Sequence, residues 1–432
     1  MALNSYKQNA AKRLEAIGLS KQRILDYSSL LGGQVGRLFF SMLYFIALAR
    51  ALSLSDFGIF ATSSSIGIVL SRLSGLGFIS PLFRVATTKP SLLGVYTTGF
   101  LLASFLTLPF LLALTFGIHW AVYTDLIALP AFMLIVMAEV LFWRGLEAVI
   151  IVNNGLNKYT LGSSIGIAGV AMKAIAAAVF WYMGYTDIEL WASTYFAILG
   201  VCLLMSAILF YPKQRLKWRP RAWAGRLRDA LGVSAAECLF YIQSELDKVL
   251  VLILGGEMLA GIYAIVMRLV DLTAMPLRAL STMLTQWIMR QRQTGKFATT
   301  GLKLDALIGL VSVVSLIAIA LLLSFAPNIL GKNIAMGASF LWLLILVPAF
   351  RNAVELHTDL LYGHERMASR VWLLIYLTIL KSSLLAILLN QTSDFATIAV
   401  WLNAVFAALY VVSALVVYKV VLNKNSGQAE SK

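Results

Sequence analysis

Charge is scarce in this chain. Asp, Glu, Lys and Arg supply 13% of its 432 residues, where an average soluble domain carries about 25%. Cysteine is almost missing: Cys202 and Cys238 both fall inside apolar segments, so neither a disulfide framework nor a thiolate metal site is expected. Three histidines, His119, His357 and His364, stand at no ligand spacing and read as residues of the membrane interfaces. A Walker A run and an HExxH helix are both absent. The outer loops are short, the longest about eight residues, which leaves no room for the site of a polysaccharide polymerase or glycosyltransferase. Together these absences argue against an enzyme, against ATP-driven work by this chain alone and for no cofactor.

What the chain has in excess is hydrocarbon: 60% of its residues are hydrophobic and the mean hydropathy is +0.84. A soluble chain of this length would divide into two or three domains with polar linkers, and no such linker occurs. The surplus must face lipid. A helix needs roughly 20 apolar residues to cross about 30 Å of hydrocarbon, and that length fits twelve spans: 28–49, 57–82, 92–117, 126–152, 159–182, 189–211, 229–254, 258–288, 304–326, 335–358, 368–390 and 396–418. The expected fold is an all-α polytopic membrane protein. No cleavable signal is expected, because the first 27 residues are charged and amphipathic.

Short cytoplasmic loops retain Lys and Arg. With the N-terminus inside, 24 basic residues fall on inner segments and two, Arg50 and Lys332, on outer loops. Both termini are therefore expected in the cytoplasm. The formal charge of +15 then reflects topology and contact with anionic membrane lipids, with no nucleic acid as partner. The expected divisions are a basic amphipathic N-terminus (1–27), a six-helix bundle (28–211), a basic linker (212–228), a second six-helix bundle (229–420) and a tail (421–432).

The halves repeat. Gly58-Ile59-Phe60-Ala61 aligns with Gly261-Ile262-Tyr263-Ala264 at an offset of 203. Arg72 then meets Arg278 at 206, Arg144 meets Arg351 at 207, and Lys173 meets Lys381 at 208. Both halves hold an even number of spans, so the repeat is parallel, with its axis along the membrane normal. Two pseudo-symmetric six-helix bundles around a central cavity follow.

Nine cations lie within spans: Arg37, Arg72, Arg144, Lys173, Lys248, Arg268, Arg278, Arg351 and Lys381. Each costs about 2.5–3.5 kcal/mol at a lipid-facing helix centre, so they cannot all face lipid. Helical spacing offers partners to four: Glu147 for Arg144, Asp271 for Arg268, Glu245 for Lys248 and Glu355 for Arg351. Arg37, Arg72, Lys173, Arg278 and Lys381 have no acid within four residues. They are expected to line water as a ring of cations for an anionic substrate, since arginine's planar fork suits phosphate oxygens. Such a cavity would repel cationic drugs.

The stretches "ALARALSLSDFGIFATSSSIGIVLSRLSGLGF" and "SELDKVLVLILGGEMLAGIYAIVMRLVDL" resemble the Wzx-type oligosaccharide flippases of the multidrug/oligosaccharidyl-lipid/polysaccharide exporter superfamily. The resemblance implies movement of undecaprenyl-pyrophosphate-linked repeat units across the bacterial inner membrane by alternating access, for surface polysaccharide assembly. It implies a lipid-linked anionic glycan as substrate, with a polysaccharide polymerase and a chain-length regulator as candidate partners. Substrate would be held by Arg37, Arg72 and Arg278, with Lys173, Lys381, Arg144 and Arg351 as further cations. Asp271, Glu237, Glu245 and Asp247 are the acids open to a coupling ion, and Asp271 has an ion pair with Arg268 as its other reading. The alternative is a multidrug/cation antiporter of the same superfamily.

Overall fold

The computed structural model describes residues 21–291, 297–326, 330–363 and 366–429. Among them every regular element is a helix, as expected where lipid leaves backbone groups no partner outside their own segment. The first half comprises α1 (Lys21–Ala51), α2 (Leu54–Ser71), α3 (Ile79–Thr88), α4 (Leu93–Ile118), α5 (Leu129–Met137), α6 (Arg144–Gly155), α7 (Tyr159–Tyr182) and α8 (Ile188–Phe210). A linker helix α9 (Pro220–Ala224) leads to α10 (Leu227–Gln291), α11 (Phe297–Phe325), α12 (Lys332–Ala338), α13 (Val347–Gly363), α14 (Met367–Gln391) and α15 (Phe395–Ala429).

Nine helices among the described residues are long and apolar enough to cross a membrane, and the chain is a multi-pass membrane protein. One of the nine, within α10, holds two expected spans that turn over at Gly256, whose backbone is at φ 81°. Spans four and ten account for the remaining two, because neither is one continuous helix. The first is α5 and α6 joined by a π-helical turn at Ala138–Trp143. The second is α12 and α13 separated by a 3-10 turn at Leu341–Leu344. Large apolar side chains such as Phe105, Trp120 and Phe325 point outward, where lipid would be.

Acids of the expected outer loops have a local task. Ser53 caps α2, its Oγ accepting from the Asp56 amide at 3.0 Å and donating to the Asp56 carboxylate. Asp187 accepts from the Glu189 amide at the start of α8, and Asp394 from the Thr397 amide at the start of α15. Each satisfies an otherwise orphan helix-terminal donor.

Span two departs from expectation. It was expected to run unbroken over 57–82, but α2 stops at Ser71 and Arg72 is its C-cap. The chain then passes through Gly75, Leu76 and Gly77 at φ 68°, 47° and 72° before α3 begins. Two glycines in three positions make that left-handed turn accessible. A Cβ on Gly77 would also sit 2.1 Å from the Ala230 carbonyl of α10. Its repeat partner in α10 has no such break, so the two halves differ here.

The seam between the bundles is formed by α2 and α10. At one end Gly58 lies against Gly261, where a Cβ on Gly58 would meet the Gly261 amide nitrogen at 2.6 Å. The repeat-related glycines are thus the crossing point. Asn333 closes the same end by donating to the carbonyls of Ala49 and Leu52 at 2.8 and 2.9 Å. At the other end, nearer the linker, Ser234 Oγ donates to the Arg72 carbonyl at 2.7 Å.

Candidate functional site

Between those two closures lie adjoining cavities of about 420 and 280 Å³ that share Glu245, Arg268 and Asp271 in their walls. The smaller is faced by α2, α7, α8 and the π-helical turn, the larger by α13, α14 and α15. Among the described residues, five basic ones line the two (Lys173, Lys248, Arg268, Arg351 and Lys381) and four acidic ones (Glu139, Glu245, Asp271 and Glu355). The expected ring of unmatched cations is therefore corrected: among these residues acids stand beside the bases nearly one for one.

Most of the expected cations are paired, and their partners come from distant helices. Arg72 is 5% exposed and donates to both oxygens of Glu147 at 2.9 and 3.1 Å. Its guanidinium also lies 4.3 Å from the centre of the Tyr241 ring. The reading of Arg72 as an unpaired cation facing the cavity does not hold. Arg144 pairs with Glu147 at i+3, as expected, and also with Glu237 of α10 at 2.9 Å. Arg72, Arg144, Glu147 and Glu237 thus form one network that ties α6 to α10 across the seam.

Lys381, also expected to be unpaired, sits 2.7 Å from Asp247 and donates to the Gln243 carbonyl at 3.0 Å. Asp247 accepts from the Tyr263 hydroxyl as well. The Arg268–Asp271 pair does not form; Asp271 faces Arg351 at 2.6 Å, and Arg268 donates to Ser41 Oγ. Lys248 and Glu245 pair at i+3 as expected, and Glu245 also accepts from Ser65 at 2.7 Å. All four acids considered for ion coupling (Glu237, Glu245, Asp247 and Asp271) are therefore occupied by a base in this conformation.

Two expected substrate residues lack an acid partner. Among the described residues no carboxylate lies within ion-pair distance of Lys173 or Arg37. Lys173 has an aromatic surround instead: its Nζ is 3.9 Å from the centre of the Trp143 ring and 5.6 Å from those of Tyr44 and Tyr195. Such contacts contribute about 0.5–2 kcal/mol each and leave the ammonium's charge without a counter-ion. Arg37 lies on α1 one turn before Ser41, which faces the smaller cavity, and its Nε is buried without a hydrogen-bond partner. Arg278 lies on α10, and its side chain is outside the described residues.

The sequence reading missed Glu139. It lies in the π-helical turn, 3% exposed, and accepts from the Tyr195 hydroxyl and from Ser64 Oγ. An acid in the middle of an apolar run was itself a signal, and π-turns frequently mark functional positions. Of the histidines, His119 and His357 are buried within the protein, while His364 lies outside the described residues.

Solved structures share this architecture along nearly the whole chain. An inward-facing multidrug resistance MATE family transporter of the MOP superfamily superposes with a TM-score of 0.61 at 16% identity, covering 92% of this chain and 96% of that one. The fold is that of the MATE transporters. An outward-facing structure of such a transporter gives a TM-score of 0.53 at 14% identity, with 92% and 94% covered. A MOP superfamily transporter from Pyrococcus furiosus, described as having a binding pocket of reverse polarity that suggests a different function, gives 0.52 at 14% identity, with 94% and 96% covered. No protein-family model and no curated protein matches the sequence.

Proposed function

We propose that this chain carries a lipid-linked anionic glycan, of the undecaprenyl-pyrophosphate class, across the membrane by alternating access of its two bundles. The observation that carries the reading is the division of labour among the charges. Every acid considered for coupling is neutralised by a protein base, whereas Arg37, Lys173 and Arg268 reach no carboxylate within ion-pair distance among the described residues. Lys173 and Arg268 line the same cavity, so a phosphate group between them would meet two donors of like charge. Arg37 extends the set along α1. A polymerase and a chain-length regulator remain the partners this reading expects.

A second reading, a multidrug antiporter, is supported by the named activity of the MATE neighbours. Within the chain it is supported by Glu139, a carboxylate beside Tyr195 and facing the same cavity as Trp143. Substrate charge separates the two. Purified protein in nanodiscs is titrated with a polyprenyl pyrophosphate and, separately, with a cationic dye. Saturable binding of the pyrophosphate lipid that weakens in Lys173→Ala and Arg268→Ala supports the flippase reading. Dye binding that survives both substitutions and is lost in Glu139→Gln supports the antiporter.

A further inference from the structure

We propose that a basic pocket between α3 and the linker binds the phosphodiester headgroup of an anionic phospholipid. The pocket has a volume of about 330 Å³ and lies at the end of the molecule that carries the linker. Ser80, Arg84 and Thr88 line it from one face of α3, and Lys89 follows them. Arg226 and Asp229 enter from the junction of the linker with α10. Leu92 and Tyr96, just before and within α4, complete the wall. Ligand pockets usually measure about 300–1,000 Å³, so this one suits a headgroup better than a protein segment.

The linker gives the pocket its shape, because it is strapped to α4. Gln214 accepts from the Gly94 amide and donates to the Pro90 carbonyl, both at 3.0 Å. The Tyr96 hydroxyl donates to the Ala222 carbonyl of α9 at 3.1 Å. Gly94 admits this close approach, since a Cβ there would collide with the Arg215 carbonyl. Trp223 of α9 packs on Phe78 and Trp218, with ring centres 6.0 and 6.2 Å away. Together these contacts bring Arg226 to the helix that carries Arg84.

Three bases and one acid line the pocket. Asp229 faces Arg226 at 3.5 Å. Among the described residues no carboxylate lies within ion-pair distance of Arg84 or Lys89. Bases gathered around one hollow repel each other and attract an anion. Guanidinium and ammonium groups suit phosphate oxygens, and Ser80 adds a hydroxyl. Depth selects the source of the phosphate. Trp218 and Leu216 on the linker are 64% and 59% exposed, and Phe83, beside Arg84, is 45% exposed. Exposed aromatic and apolar side chains next to basic ones mark the level of the headgroups. The inference uses neither the substrate nor the central cavity.

The test is native mass spectrometry of the full chain in detergent, titrated with phosphatidylglycerol and, separately, with phosphatidylcholine. The expected result is a first phosphatidylglycerol bound about tenfold or more tightly than phosphatidylcholine. Arg84 and Lys89 are exposed, so their substitution leaves the fold intact. Arg84→Ala and Lys89→Ala should each weaken that first site about tenfold. Lys158→Ala, which removes a charge outside the pocket, should leave it unchanged. Tyr96→Phe combined with Gln214→Ala removes no charge but releases the strap, and it should weaken the site severalfold. Equal affinity for the two lipids would overturn the proposal. So would an equal loss in Lys158→Ala, or full affinity in the strap variant, because either would make the attraction a diffuse field. Displacement of phosphatidylglycerol by millimolar inorganic phosphate would assign the pocket to a soluble anion instead.

Discussion

Arg72 and Glu147 are 75 residues apart and meet through two parallel hydrogen bonds, at 2.9 and 3.1 Å. The same carboxylate accepts from Arg144, which extends to Glu237 on the opposite bundle. One carboxylate thus bridges two guanidinium groups, and Arg72, expected without an acid partner, has one from a distant helix.

Removing that carboxylate is the direct check. Glu147→Gln leaves Arg72 with no carboxylate at ion-pair distance among the described residues and Arg144 with Glu237 alone. Since Glu147 keeps some exposure, the loss should fall near the low end for broken buried pairs, about 3 kcal/mol. Thermal unfolding in detergent reads it. Glu237→Gln, which breaks only the cross-seam bond, should leave folding nearly unchanged. It should instead raise the reactivity of a cysteine placed at Ser234 toward a water-soluble maleimide.

Lys381 and Asp247 call for a double-mutant cycle. Both are almost fully buried and sit 2.7 Å apart. Asp247→Asn should strand the ammonium, and Lys381→Met the carboxylate. The two together should recover much of the loss, with a coupling of about 2–3 kcal/mol. Additive losses would mean that Lys381 has its main partner elsewhere.

The helices were legible because the bilayer fixes their length, and the repeat because the glycines that cross at the seam align at one offset. Of the three pairs expected at a spacing of three, Arg144–Glu147 and Lys248–Glu245 form and Arg268–Asp271 does not. The longer pairs were not. Burial demands that Arg72 and Lys381 find acids, but only packing selects Glu147 and Asp247. Repeat-related positions also diverge in chemistry. Lys173 has three aromatic rings where Lys381 has a carboxylate, because helix register carries over between the halves and neighbouring side chains do not.

The glycine crossing should be intolerant of any side chain. A Cβ on Gly261 would lie 2.1 Å from the Leu54 carbonyl, and one on Gly58 would lie 2.4 Å from that of Glu257. These are backbone atoms that cannot turn aside. Gly58→Val and Gly261→Val should therefore part the bundles at this end and abolish transport while leaving membrane levels near normal. Spin-label distances across the seam should lengthen there. Unchanged distances would mean that α2 and α10 adjust locally.

Asp394 offers a dependence on pH that needs no transport assay. Hydrogen bonds from the Thr397 hydroxyl and amide, with a further one from the Ala396 amide, hold its carboxyl below the usual carboxylate range. A depressed value means the cap stabilises the start of α15 above the unfolded-state pKa and is lost as pH falls through the folded one. Protection of the amides at residues 396–398, taken as observed exchange relative to the intrinsic rate at each pH, should fall on acidification. In Asp394→Ala it should be low at every pH.

The cations of the cavity should separate by what surrounds them. If Lys173 and Arg268 hold the phosphate groups, each alanine substitution removes one charge-assisted contact of about 1.5–3 kcal/mol, or roughly 10- to 100-fold in affinity. Lys173→Arg should recover little, because the space among Trp143, Tyr44 and Tyr195 fits a compact ammonium better than a planar fork. Arg72→Lys, by contrast, should bind normally and lose stability, since its two bonds to Glu147 need the fork. Binding measured by titration in nanodiscs, with unfolding on the same preparations, places each cation in one class. Should Arg72→Lys lose affinity at unchanged stability, the cations at the closure would belong to the substrate path after all.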